Sequence, residues 1–444
     1  MNGPASRTAR TALAIAFSAF NKSLKTPTLL CATLIAVTAC SRSAPNASGP
    51  LPQRAYLWQR NWTSAVVDSL VEAQKRMDGV VVLGAEIVWN GKAAWVVRAS
   101  IDWEKVKTQG KPFGVALRVA PFAGPFGADD SNARLLVNVT KSLLSEAAEH
   151  GAQLKEVQLD FDCAQKNLRN YRGWLRALRP VIHPARFVIT TLPAWLDDPE
   201  FVPLVRETDG YVLQVHSVPS SHADRLSSLC DPVSARKWVA KAAELGLPFS
   251  VALPTYRCTA GYDPAGKLMG VAMDGVQPAW PPNTRILEFT TDADEVATLV
   301  QEWQRSRPPQ LRELLWYRLP VATDTRNWRW ATLSAVMSGR KPLHRLEVLE
   351  DGENPIDLSI VNAGEADEQL DVLVTATWKN NALISADALT GWTVDTTRED
   401  AVFATAPGYG ARLAPGGKRK IGWLRYEQPT SIQLKLAKKD ESPL

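Results

Sequence analysis

The chain has 444 residues and a formal charge of +5, and four of its basic residues (Arg7, Arg10, Lys22 and Lys25) fall in the first 40, where there is no acidic residue. Residues 41–444 carry the remaining +1 and are close to neutral, which excludes the basic footprint of a nucleic-acid-binding protein. No P-loop, dinucleotide fingerprint or Gly-x-Ser-x-Gly elbow occurs, so NTPase, dehydrogenase and esterase readings have nothing to stand on, and nothing calls for a cofactor.

In chain order, the basic start leads into an apolar run over 28–36, about as long as a signal-peptide core and too short to span a bilayer. It ends in Val37, Thr38, Ala39 and Cys40, which resembles the bacterial lipobox, where small residues precede a cysteine that is acylated and becomes the new N-terminus. Residues 1–40 are therefore expected to be a lipoprotein signal peptide, with Cys40 carrying the lipid that holds the protein to a membrane. Ser41 stands where an inner-membrane retention signal has aspartate, so the sorting rule implies an outer-membrane, periplasm-facing address. Residues 41–54 are mostly small and polar and read as a flexible tether.

From 55 to 340, strand-like apolar runs alternate with helix-like amphipathic segments, which predicts an α/β fold. The runs are 55–58, 80–87, 114–119, 157–161, 187–191, 211–215, 249–253 and 314–319. Eight such units in this length match a TIM-like (β/α)8 barrel. A hairpin about Gly91 and Lys92 is expected after the second strand, and an extra strand over 284–289. The segment 254–282 holds four Gly and five Pro and reads as a long loop over one end of the barrel, a candidate lid. Beyond 341 the pattern changes to short alternating runs separated by turn clusters, which predicts a C-terminal all-β sandwich over 341–444.

Reactive groups of such a barrel stand at the C-terminal ends of its strands. Those ends are Trp58, Glu86, Arg118, Asp160 with Asp162, Thr191, His216, Tyr256 and Arg318. Side chains alternate along a strand, so Asp160 and Asp162 share a face and point into the mouth. Two carboxylates so close do not ionise independently, and one pKa should rise, which suits acid/base work at a glycosidic bond. Glu86 is either a further mouth carboxylate or the partner of Arg118. His216 is either an acid/base group or a capping histidine. The chain has 16 tryptophans; Trp195, just past the fifth strand, is a candidate sugar-stacking platform, with Trp58, Tyr256, Arg118 and Arg318 as further substrate contacts. No His/Cys cluster has metal-ligand spacing. Cys230 and Cys258 follow neighbouring strands and should emerge on one face, so they are expected to form a disulfide that leaves Cys163 free.

Leu159, Asp160, Phe161 and Asp162 resemble the fourth-strand motif of chitinase-like family 18 glycoside hydrolases. In that motif a catalytic glutamate follows two residues on, where this chain has Ala164, and Val157 stands at its first aspartate. The family's catalytic acid is thus not carried over. A closer likeness is to an uncharacterised bacterial lipoprotein family, the domain of unknown function 3142. It rests on Gln158 to Asp162, Tyr171, Leu175, the 189–195 strand end with its Pro193-Ala194-Trp195 turn, and Gln214 to His216. That resemblance implies a carbohydrate-active type of TIM barrel with no assigned reaction. Three readings stay open: a glycoside hydrolase-like enzyme using Asp160 and Asp162 with Glu86 or His216, a non-catalytic glycan-binding barrel, and a structural envelope protein. The partners expected are a carbohydrate or envelope glycan and, through the lipid, a membrane.

Overall fold

The computed structural model describes residues 45–439 apart from 90–92, 108–109, 123, 125, 129, 217–227 and 274–277. The leader over 1–40 with Cys40, the start of the tether, and the turn at Gly91 and Lys92 lie outside the described residues.

Eight strands, Gln53–Leu57, Gly79–Trp89, Phe113–Val119, Glu156–Phe161, Arg186–Thr191, Gly210–Gln214, Phe249–Pro254 and Leu311–Tyr317, form the barrel. Each pairs in parallel with the next, and the eighth pairs in parallel with the first, so the sheet closes on itself. Both faces of such strands are covered, one by helices and one by the barrel interior, which is why they read as continuous apolar runs. A helix follows every strand, and Leu168–Ile182 shows how the sequence directs it. Its buried Leu168, Tyr171, Leu175, Leu178 and Ile182 recur three and four residues apart and put one face on the sheet. Asp130, Asp231 and Asp292 cap three of the helices by accepting backbone N–H bonds.

The two-residue repeat sorts the fourth strand cleanly. Val157, Leu159 and Phe161 pack outward into the core shared with the helices, leaving Glu156, Gln158 and Asp160 to face inward. The floor of the barrel is an ion cluster in which Arg54 meets Glu156 at 3.0 Å and Glu313 at 2.5 Å, and Arg186 meets Glu156 at 3.0 Å. Above it Gln158 donates to Glu156 (2.7 Å) and accepts from the Tyr56 hydroxyl (2.6 Å). Asp160 and Asp162 come next, at the open top.

The second strand does not follow the simple repeat. Its pairing with the third strand shifts register between Leu83 and Ala85. Val82, Ala85 and Ile87 pack outward, so the slip at Gly84 turns Glu86 inward. A Cβ on Gly84 would come within 2.4 Å of Val115 and 3.0 Å of Leu143, so the helix over this strand tolerates only glycine here.

Between the seventh and eighth strands the chain builds a three-stranded antiparallel sheet, Cys258–Tyr262 flanked by Leu268–Ala272 and Arg285–Phe289. The expected long loop thus supplies two strands of this sheet, and the strand expected at 284–289 is one of the sheet's edges. Beyond the helix Trp330–Met337, two four-stranded antiparallel sheets share one core that includes Leu358, Ile421, Val374 and Phe403. This is a β-sandwich. Two of its strands, Leu383–Ala388 and Trp392–Thr396, lie at sheet edges.

The expected disulfide is not formed: Cys163, Cys230 and Cys258 are all free and buried. Cys230 packs into the core between barrel and helices, whereas Cys258 opens the small sheet and packs with Ala260, Tyr262 and Phe289. The sheet carries Cys258 into a different core from Cys230, which reading the segment as a loop did not anticipate.

Candidate active site

A pocket of about 330 Å³ opens at the C-terminal end of the barrel. Its polar lining is Asp160, Asp162, Arg118, Thr190 and Gln214, and its aromatic wall is Tyr56, Trp58, Tyr256 and Tyr317 with His216. Strand alternation brings these together. Tyr56 and Trp58 share a face, as do Asp160 and Asp162, and each neighbouring strand adds one inward residue at the same height.

Asp160 accepts a hydrogen bond from the Thr190 hydroxyl at 2.7 Å, and the Gln214 amide lies 3.5 Å from the same oxygen. Burial pushes its carboxyl up to about 6, and the negative charge of Asp162 adds to the rise, against the Thr190 bond and the Arg118 charge. Asp162 is open to solvent at the rim, yet protein surrounds it on most sides. Desolvation raises its pKa too, while Arg118 and Gln214 favour its charged form. The two carboxyls therefore compete for one proton at mildly acidic pH, and the deeper one is the harder to ionise.

His216 is held down to about 4 by burial, against a contact of its Nδ1 with the Ala252 carbonyl at 3.4 Å. A carbonyl only accepts, so Nδ1 carries the proton and Nε2 of the neutral ring is left as an acceptor. The ring stacks on Tyr317 (5.9 Å between centroids, 17° between planes) and stands edge-on to Tyr256. Tyr317 is in turn edge-on to Trp58 at 5.1 Å, so the wall is one continuous aromatic surface. Such a surface suits the apolar face of a sugar ring. Val271 and Met273, from the small sheet, close the pocket from above.

Of the residues anticipated from sequence, Asp160, Asp162, His216, Arg118, Trp58 and Tyr256 converge on this pocket. Glu86 does not line it. Its buried carboxylate is held between Arg60 and Arg118, the latter at 3.3 Å, so of its two readings the structure takes the partner of Arg118. Trp195 is a correction: its turn, Pro193–Trp195, folds the ring back into the core between barrel and helices, where it is 1 % exposed. Arg318 is also away from the pocket, because Asp324 captures its guanidinium at 2.6 Å and the Met273 carbonyl accepts from it. Tyr56 and Gln214 also line the pocket, where alternation from Trp58 and His216 puts them; Thr190 and Tyr317 line it one residue before the expected strand-end groups Thr191 and Arg318, so on those two strands the inward register is offset by one from the expectation. Val271 and Met273 had no such signal, since nothing local shows that their segment folds over the mouth. Ala164, at the position of the chitinase glutamate, is exposed and precedes a short helical turn.

Solved structures that the chain is similar to include a chitinase from Bacillus thuringiensis, with 11% identity and a TM-score of 0.42 over 87% of this chain and 100% of that one. A chitinase from Chromobacterium violaceum has 14% identity and a TM-score of 0.45 over 65% and 98%. The spore cortex-lytic enzyme SleL of Bacillus cereus has 9% identity and a TM-score of 0.47 over 66% and 75%. No curated protein matches the chain. Residues 347–427, in the sandwich, match the model of the domain of unknown function DUF8456. Residues 119–322, from the end of the third barrel strand to the turn after the eighth, match the model of the domain of unknown function DUF3142.

Proposed function

We propose that the protein binds a glycan at the barrel mouth and cleaves it as a glycoside hydrolase-like enzyme, held to an envelope membrane by a lipid on Cys40 and facing the periplasm. The observation that carries the enzymatic part is the unequal carboxyl pair inside an aromatic-walled pocket. Asp162, at the rim, is placed to give a proton to a glycosidic oxygen and take one back from water. Asp160, deeper and reluctant to ionise, shares one proton with Asp162, and the negative charge left on the pair raises the proton affinity of Asp162, so that Asp162 holds the proton when it meets the glycosidic oxygen. His216 offers its Nε2 from the opposite wall as a neutral acceptor for a hydroxyl or the attacking water. Arg118, anchored by Glu86, favours the charged state of both aspartates, and the proton that Asp162 takes from water returns the pair to one net negative charge.

A non-catalytic glycan-binding barrel is the second reading, favoured by the placement of both aspartates on one strand and by the engagement of Glu86 with two arginines. A glycan array on the purified protein, followed by product analysis on each hit, separates the two. Asp162→Asn should abolish product while leaving retention of the glycan and the melting temperature nearly unchanged. Undiminished turnover in that variant would remove Asp162 from the mechanism, and retention without any product in the parent would leave a binding protein. The anchor is tested by growth with a labelled fatty acid: Cys40→Ser should lose all label, and a variant labelled like the parent would overturn the lipoprotein assignment.

A further inference from the structure

The chain enters the barrel at the end opposite the mouth, the foot, where the strands begin. Before the first strand, residues 46–49 are laced to the end of the helix Ala293–Arg305 and to the turn that leads into the eighth strand. Ala47 and Arg307 exchange backbone hydrogen bonds at 2.8 and 2.9 Å, and the Gly49 N–H donates to the Gln304 carbonyl at 2.8 Å. The Asn46 amide donates to the Ser306 hydroxyl (2.9 Å), and the Arg307 guanidinium donates to the Gly49 carbonyl (2.6 Å). Just beyond, Leu51 is buried in the core between barrel and helices. From Asn46 onward the chain is thus fixed to the foot.

Asn46 is six residues from Cys40, a stretch that reaches about 22 Å even when fully extended. Asp162, at the mouth, is six residues above Glu156 on the fourth strand, about 20 Å along it, and the small sheet closes the pocket from above. An anchor at Cys40 therefore brings the foot to the bilayer. Turning the mouth to the same bilayer would stretch the whole segment along the barrel wall.

The foot also carries an excess of positive charge. Its ion cluster of Arg54 and Arg186 with Glu156 and Glu313 is neutral, and Lys107 is paired with Glu104. Glu207 and Asp209 are held by Arg172, Arg176 and Arg179. Lys111 donates to the Gln74 and Met77 carbonyls. Lys155, Arg206, Arg305 and Arg312 are exposed and have no carboxylate partner among the described residues. Against these five cations stand three acids without a cation, Asp78, Glu149 and Glu244, and Asp78 accepts from the Gln53 N–H. Cations where helices end suit the helix dipole, and an anionic lipid surface attracts the same groups.

We propose that the foot of the barrel is the face that meets the membrane, lying on anionic phospholipid headgroups, and that the mouth opens away from it. The proposal rests on the lipid anchor at Cys40. It narrows the glycan of the proposed activity to one that stands off that membrane, as against the sugar headgroups of the membrane's own lipids.

Energy transfer in vesicles tests this. The acylated protein is reconstituted into phosphatidylethanolamine and phosphatidylglycerol with a trace of acceptor-labelled headgroup. A donor dye sits on one introduced cysteine, at the foot (Gln153→Cys) or on the small sheet over the mouth (Leu268→Cys), both exposed positions. The parent, whose Cys163, Cys230 and Cys258 are buried, sets the background. Transfer from Gln153→Cys should be at least twofold that from Leu268→Cys. Lys155→Gln, Arg206→Gln, Arg305→Gln and Arg312→Gln combined should lower that ratio, as should vesicles of phosphatidylcholine alone. Equal transfer, or more from Leu268→Cys, in vesicle-bound protein would overturn the orientation. A ratio indifferent to both changes of charge would overturn the anionic contact. Acylated protein that stays in solution, as Cys40→Ser should, would overturn the anchor and this proposal with it.

Discussion

Asp160 owes its position to the two-residue repeat of a strand, and its chemistry to what that position withholds from it. Among the described residues it has a hydroxyl and a distant amide as partners, with the Asp162 charge beside it. Its carboxyl titrates at about 6 in the folded protein against 3.8 ordinarily. Below pH 3.8 folded and unfolded chains are both protonated, and the site costs nothing. As pH rises through 6 the unfolded chain has already given up the proton that the folded one resists losing, so the native state is penalised by up to about 3 kcal/mol. Asp160→Asn keeps the acceptor for Thr190 and removes the charge. It should melt higher than the parent at pH 7.5, with the difference closing by pH 4; a variant that melts lower at pH 7.5 would mean the carboxylate is stabilising where it sits. The same repeat made most of the site legible, since Trp58, Arg118, Asp160, Asp162 and His216 are strand-end residues facing inward. It failed at Trp195, where one helical turn resets the direction of the side chain, and at Arg318, where Asp324, six residues on, supplies a partner that periodicity does not reveal.

Elements were legible in proportion to how local their cause is. The eight barrel strands announce themselves as apolar runs because each is covered on both faces, and the helix over the fourth strand carries its buried face at regular spacing. The slip at Gly84 has a long-range cause, the approach of Val115 and Leu143, and a glycine within an apolar run gives only a faint sign of it. Without that slip Glu86 would point at the helices and Arg118 would lose its anchor. The small sheet over the mouth is the least legible element. Its strands pair Leu268–Ala272 and Arg285–Phe289 onto Cys258–Tyr262, and a sequence with scattered Gly and Pro reads as loop until those partners are known. That error led directly to the disulfide error, because a loop would have left Cys258 free to meet Cys230, while a strand fixes its side chain against Phe289.

At the scale of the whole molecule, the junction between barrel and sandwich is polar, and His344 spans it. Its Nδ1 lies 2.8 Å from Glu368, on the short strand Glu368–Gln369, and its Nε2 lies 3.3 Å from Asp294, in the barrel helix Ala293–Arg305. Both ring nitrogens can donate at once only in the imidazolium. Partial burial works against that charge, but the hydrogen bonds and attraction of Asp294 and Glu368 outweigh it and hold the pKa above the ordinary 6.5. The stabilisation is therefore fully present below pH 6.5 and is lost as pH rises through the raised value, where the neutral ring keeps one donor and one carboxylate loses its partner. The ring is about half exposed and solvent screens it, so the effect is modest. Lys341, 3.9 Å from Asp294, retains part of the attraction at high pH. His344→Gln should lower the melting temperature relative to the parent at pH 5.5 and leave it nearly equal at pH 9. The measurement is the difference between variant and parent at each pH, which cancels titrations elsewhere in the chain. A gap of the same size at both values would show that His344 contributes packing alone and that the two domains are not joined through its charge.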